Sequence, residues 1–310
     1  MSAFHYQPSK WVPFADLATI ERCRRITRAE IDTHPNPDFR IRVVADADVE
    51  MIWVTDMFRR IQSAAQAGQN LVMILPNPCP TYRHVARLIN ACGVDCSRLH
   101  LFAMDEYADQ DGRIAPSTWA AGFTYAMNKF FVSQIKPELR PPARQVIGFT
   151  DQNVDHYSKL IADAGGADVC YSGPGWTGHL AFIEPDAPEF DGPLAEWKTF
   201  GARRVTLSPF TLAQNSLHGS FGMSGDLAAV PPRAATIGPA DVIAARHRFE
   251  AAAITVQGTQ SSWQRLTARL CYHGPVTPRL PSSILQELRT DVYVSESIAA
   301  DIRIDHSKGY

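Results

Sequence analysis

No stretch of about 18 consecutive apolar residues occurs in the sequence, so no hydrophobic helix long enough to span a bilayer is expected. The first residues, MSAFHYQPSKWVPF, have neither the basic start nor the apolar segment of a signal peptide. An excess of one charge is also missing. Thirty Lys and Arg face 32 Asp and Glu, and a formal net charge of -2 gives no global field to recruit nucleic acid or an acidic membrane. Cysteine is sparse, at Cys23, Cys79, Cys92, Cys96, Cys170 and Cys271. A chain of 310 residues needs no covalent staples, so these read as reduced thiols of a cytoplasmic protein. Cys92 and Cys96 have a loose metal-like spacing, but no second pair follows, and no metal site is expected. Repeats and low-complexity tracts are absent as well.

What remains, 45% hydrophobic and 20% charged, is the composition of a globular protein with a sizeable core. Residues 1–40, with Pro8, Pro13, Pro35 and Pro37, read as an N-terminal appendage holding one helix, Leu17 to Ile31. Residues 41–310 read as one domain. Strand-like IRVV leads to a helix over 48–67, whose apolar face is Met51, Val54, Met57, Phe58 and Ile61. LVMIL (71–75) is the continuous apolar run of a strand buried on both sides. A helix over 82–92, the strand LHLFAM (99–104) and a helix capped by Ser117 and running to Phe131 follow. QVIGF, a helix near 154–164 and ADVCY continue the alternation. RVTL (204–207), AATI (234–237), AAAITV (251–256), a helix near 262–271 and DVYVS (291–295) close it. The expected fold class is α/β, a Rossmann-like, mostly parallel sheet with helices on both faces.

Ligands of such sheets sit outside the carboxyl ends of the strands. Three loops lie there: LPNPCPT (75–81), MDEYAD (104–109) and GPGWTGHLAFIEP (173–185). Asp105 and Glu106 stand where an apolar strand ends. Either they form a solvated turn or helix cap, or one is a general base whose pKa rises in a partly dry cleft. His179, with Glu184 five residues on, is either a core histidine bonded to a backbone carbonyl or an acid–base group oriented by a carboxylate. Gly173, Gly175 and Gly178 allow close backbone approach around it.

Taken together, LFAMDEYAD and GPGWTGHLAFIEP resemble the glucosamine-6-phosphate deaminase/isomerase family of the sugar-phosphate isomerase and 6-phosphogluconolactonase superfamily. Its patterns are F-N-M-D-E-Y and G-x-G-x-D-G-H-I-A-F-N-E-P. The resemblance extends from about Arg42 to near the C-terminus and includes AQNS (213–216) and VPPRAATIGPADVI (230–243). It implies a carbohydrate-processing enzyme. Asp105 would move a proton between C1 and C2 of an opened sugar, and His179, tuned by Glu184, would open the ring. Asn77, Cys79, Thr81, Glu106, Gly173, Gly175, Trp176, Thr177, Gly178 and Arg203 would contact a small-molecule sugar or amino sugar. Aldose–ketose isomerisation, with or without deamination, needs no cofactor. The resemblance also implies a homo-oligomer.

Three positions depart from the family. Thr177 stands where the family has an acid two residues before its histidine. Pro76, Pro78 and Pro80 interrupt the loop whose N–H groups cradle phosphate in the family, and proline has no N–H. Ser261 replaces a lysine, leaving Arg203 or Arg204 as the remaining cation. An atypical phosphate site is therefore expected. Two alternatives stay open: a lactonase of the same superfamily, which is a hydrolase, and a non-catalytic sugar-binding or regulatory homologue.

Overall fold

The computed structural model describes residues 6–255 and 258–307. Ten strands form two sheets. In chain order they are β1 (Phe39–Val44), β2 (Leu71–Leu75), β3 (Leu99–Ala103), β4 (Asp105–Ala108), β5 (Val146–Ile147), β6 (Val169–Ser172), β7 (Arg203–Thr206), β8 (Arg233–Thr236), β9 (His247–Ala252) and β10 (Thr290–Ser295). Seven make a wholly parallel sheet in the order β1-β10-β9-β6-β2-β3-β5. The other three, β4-β8-β7, form an antiparallel sheet.

The LVMIL run behaves as its composition demands. All five residues of β2 are buried, and successive side chains enter opposite cores. Leu71, Met73 and Leu75 join a cluster with helices Asp48–Gln66 and Tyr82–Cys92. Val72 and Ile74 join the cluster that holds helix Tyr157–Asp163, the end of helix Gln264–His273 and the small sheet. The parallel sheet is therefore covered on both faces, as expected, but the antiparallel sheet was not anticipated.

The chain fills the sheet outward from β2 in one direction to β3 and β5, then returns to place β6 on the other side of β2. The topological switch point thus lies between β2 and β6, where the crevice of an open α/β sheet forms. The loops after β2 and β6 flank it. The residues read as a loop at 104–109 are instead mostly β4, which leaves the main sheet immediately after β3.

Three helices differ from the sequence reading. The first stops at Arg24, and Thr27–Ile31 forms a separate turn in which Thr27 N–H donates to Glu30. The fourth begins at Phe123, not near Ser117. The last runs over Gln264–His273. AAAITV falls late on β9, which covers His247–Ala252, and its Val256 lies outside the described residues. Phe39 and Arg40, assigned by sequence to the appendage, pair with β10 as the start of β1.

Candidate active site

The loop after β6 folds back on itself around His179. Its imidazole lies flat against Gly175, where a Cβ would sit 1.8 Å from Nε2, so no other residue fits there. Gly178 adopts φ +78 and closes a turn through its N–H to Gly175 O at 2.9 Å. Gly173 packs on the carbonyl of Ala251. Neighbouring elements pin the loop. Trp176 N–H donates to Gln214 Oε1 at 2.7 Å, Gln264 Nε2 donates to Pro174 O, and Thr267 Oγ1 donates to Trp176 O. Ser282 Oγ donates to His179 O at 3.1 Å. The Trp176 ring is 43% exposed and stacks on Trp263, with centroids 5.6 Å apart and planes 19° from parallel.

His179 is 4% exposed and Glu184 1%. Two hydroxyls meet His179 Nδ1 at 3.1 Å, those of Thr177 and Thr211. A carboxyl oxygen of Glu184 lies 3.6 Å from the same nitrogen, beyond direct hydrogen bonding. Ser208 N–H donates to Glu184 Oε1 at 3.3 Å, while Glu184 Oε2 is buried without a hydrogen-bond partner. The Thr211 hydroxyl lies on His179 Nδ1 and helps to lower the Glu184 pKa. Burial, helped by the nearby His218, pushes His179 down to about 4. Burial pushes Glu184 up to about 8, aided by Asp186 and opposed by the Thr211 hydroxyl and the Ser208 N–H. At neutral pH the pair rests uncharged, with the proton on Glu184.

Asp105 opens β4, with only Met104 between it and the end of β3. It is 6% exposed, and its Oδ1 is buried without a hydrogen-bond partner. Burial and the adjacent Glu106 hold its pKa well above the usual carboxylate range. Its backbone pairs with Thr236 of β8, whose hydroxyl accepts from Phe182 N–H in the His179 loop. That ladder ties the small sheet to the His179 loop. Asn77, at the switch point, likewise has a buried, unpartnered Oδ1.

Four of the expected contact residues turn elsewhere. Glu106 accepts from the N–H groups of Tyr107, Phe123 and Thr124, so its carboxylate caps helix Phe123–Phe130. The Cys79 thiol is buried beside Thr81 and Tyr82, with its pKa raised to about 11 by that burial. Thr81 Oγ1 donates to Glu50 on the neighbouring helix. Arg203 donates to Gly201 O and Glu189 O and lies over the rings of Phe190 and Phe200, so its head is already engaged.

Two contributors escaped the sequence reading, Thr211 and His218. Both lie beside the AQNS motif, which was noted only as a family signature. A cavity of about 1170 Å³ bordered by Arg28, Ser262, Arg265, Glu296 and Arg303 lies elsewhere and touches none of these groups.

No family model matches the chain. Among curated proteins it is 27% identical over 249 residues to glucosamine-6-phosphate deaminase 2 of Giardia intestinalis, covering 78% of this chain and 85% of that one. It is 29% identical to the glucosamine-6-phosphate deaminase of Rhodopirellula baltica, covering 73% and 80%. Among solved structures, a monomeric glucosamine-6-phosphate deaminase of the NagB superfamily superposes with a TM-score of 0.65 at 18% identity, over 84% of this chain and 98% of that one. The 6-phosphogluconolactonase of Thermotoga maritima superposes at 0.57 and 15% identity, over 82% and 98%. The chain is thus an enzyme homologous to glucosamine-6-phosphate deaminases, with the fold they share with the lactonases.

Proposed function

We propose that this homologue of the glucosamine-6-phosphate deaminases moves a proton from C2 to C1 of an opened amino sugar, giving a C2 imine that adds water at C2 and loses ammonia as the ketose forms. The observation that carries the reading is the buried pair of His179 Nδ1 and Glu184, 3.6 Å apart, together with a buried Asp105 carboxyl whose Oδ1 has no partner. Ring opening breaks the C1–O5 bond and needs a proton on O5. Glu184, 3.6 Å from Nδ1, holds one and passes it to Nδ1 as the pair closes and His179 Nε2–H delivers its own. Once the sugar is open, Asp105 takes the C2 proton and returns it to C1 on the same face of the enolamine. A raised pKa makes it a stronger base than an ordinary carboxylate, and activity rises with pH through that pKa.

The substrate is not held by a conventional 6-phosphate cradle. Pro76, Pro78 and Pro80 offer no N–H to an anion. Arg203 is engaged elsewhere, and Ser261 stands two residues before Trp263 where a cation would help. A rim of stacked indoles suits the apolar face of an uncharged sugar end better than a dianion. Asp105→Asn is the test. Ammonia release and ketose formation from glucosamine, galactosamine and their 6-phosphates are measured for both proteins. The expected result is turnover of an unphosphorylated amino sugar above glucosamine 6-phosphate, and a loss of at least about 10²-fold in the variant. Equal turnover by the variant removes Asp105 from the chemistry. Preference for the 6-phosphate overturns the reading of the rim.

A further inference from the structure

Helix Pro209–Asn215 and the turn after it carry Thr211, Asn215 and His218, spaced i, i+4 and i+7. Thr211 and Asn215 share one face of the helix, and His218 follows directly, its N–H donating to Asn215 O at 2.8 Å. Two of the three are accounted for: Thr211 meets His179 Nδ1 at 3.1 Å, and Asn215 Nδ2 donates to the Tyr107 hydroxyl at 2.8 Å. The third is not. Nδ1 of His218 is buried and has no hydrogen-bond partner. A polar nitrogen stripped of water and given no protein partner is one that a ligand is built to meet.

We propose that His218 is the second acid–base group of the site, contacting the substrate directly and supplying the titratable partner that Thr177 cannot be. The inference rests on the amino-sugar reading above. Ring opening must remove the anomeric O1 proton as well as protonate O5. The Glu184–His179 pair serves O5 and leaves O1 without a base. Neutral His218 fills that gap: the O1–H bond breaks, its electrons form the C1=O1 carbonyl, the C1–O5 electrons go to O5, and the O1 proton binds Nδ1 of His218. Glu184 loses one proton and His218 gains one, and proton transfer between them through water resets the site when product leaves.

The surroundings agree with this role. His218 lies close enough to His179 that a positive charge on one opposes charge on the other. Burial alone holds it at about 4, so at neutral pH its free nitrogen has a lone pair ready to accept. The other titratable groups of the site are Glu184 and Asp186 on the His179 loop and Asp105, Glu106 and Tyr107 on β4. None of them hydrogen-bonds His218 among the described residues.

His218→Gln tests the assignment, since the amide keeps polarity and bulk but does not titrate. Imidazole resonances of wild type and variant are followed by NMR from pH 3 to 8, alongside ammonia release from glucosamine and from glucosamine 6-phosphate across the same range. In the variant the His179 midpoint rises by roughly half a pH unit or more, because a neighbouring cation is gone. Turnover falls by roughly 10²-fold with an unchanged melting temperature. Adding Thr177→Asp to His218→Gln restores part of the loss. A His179 midpoint that stays put or falls overturns the proposal, as does wild-type turnover in the variant. If the wild type turns over neither sugar, the amino-sugar reading falls and the NMR titration alone decides His218.

Discussion

Asp105 and Glu106 are neighbours with the same chemistry and opposite fates. Alternation along β4 sends the two carboxyls opposite ways, that of Glu106 to the N-terminus of a helix and that of Asp105 to a buried position where its Oδ1 has no partner. The sequence marked both as unusual at the end of an apolar strand, but side-chain direction depended on a strand that looked like a loop. Thr177 belongs to the same scale. Its hydroxyl touches Nδ1 at 3.1 Å, so an aspartate there would place a carboxylate against the imidazole. Thr177→Asp should raise the His179 pKa from about 4 and speed ring opening, while pre-opened analogues react at nearly the wild-type rate. Rates on both substrate forms, with the acid limb of each pH profile, check this.

At the scale of elements, the legible parts were those whose patterns are uniform. β2 and helix Tyr82–Cys92 were read to the residue, because a strand buried on both faces and an amphipathic helix each leave an unbroken signature. β9 was displaced because Arg248 and Glu250, 4% and 0% exposed, sit inside it. Arg248 is satisfied by the carbonyls of Ala245 and Arg289, and Glu250 by the Ser172 hydroxyl, partners distant or irregular in sequence. The helix expected from Ser117 begins at Phe123 for the same reason: its cap is Glu106, 17 residues upstream of Phe123. Of the site, the loop carrying His179 and Glu184 was visible, whereas Thr211 was hidden because nothing local says that a threonine will meet an imidazole 32 positions earlier. Glu106→Ala should destabilise the fold by about 1–2 kcal/mol, as loss of a helix cap does, and lower activity only through the position of β4. A chemical denaturation midpoint below wild type, with an unchanged pH optimum, is the expected pair of results.

For the whole molecule, the first 40 residues prove to be divided. Tyr6 and Trp11 are largely exposed, but Cys23 and Ile31 are fully buried. The carbonyls of Ile26 and Ile31 receive Arg269 and His273 from the helix that pins the His179 loop. Removing residues 1–13 should leave the melting temperature within error of wild type. Removing 1–36 strips buried apolar side chains worth roughly 1.5–3 kcal/mol each and leaves a buried guanidinium short of a partner, so it should lower the melting temperature sharply or prevent folding. Calorimetry on the two truncations checks the contrast.

The placement of Asp105 and His179 has a kinetic meaning. Asp105 opens the antiparallel sheet, His179 lies in the loop that follows a strand of the parallel one, and each is at most 6% exposed. On the proposed mechanism a sugar reaches groups so buried only through a collective movement of these elements through solvent, whose speed depends on friction rather than on bond making. Turnover should therefore slow in proportion to added sucrose or glycerol viscosity, whereas Asp105→Asn, in which chemistry has become the slow step, should be indifferent to it. Stopped-flow rates against relative viscosity measure both slopes, and a flat line for the wild type would mean that these elements move faster than the proton does.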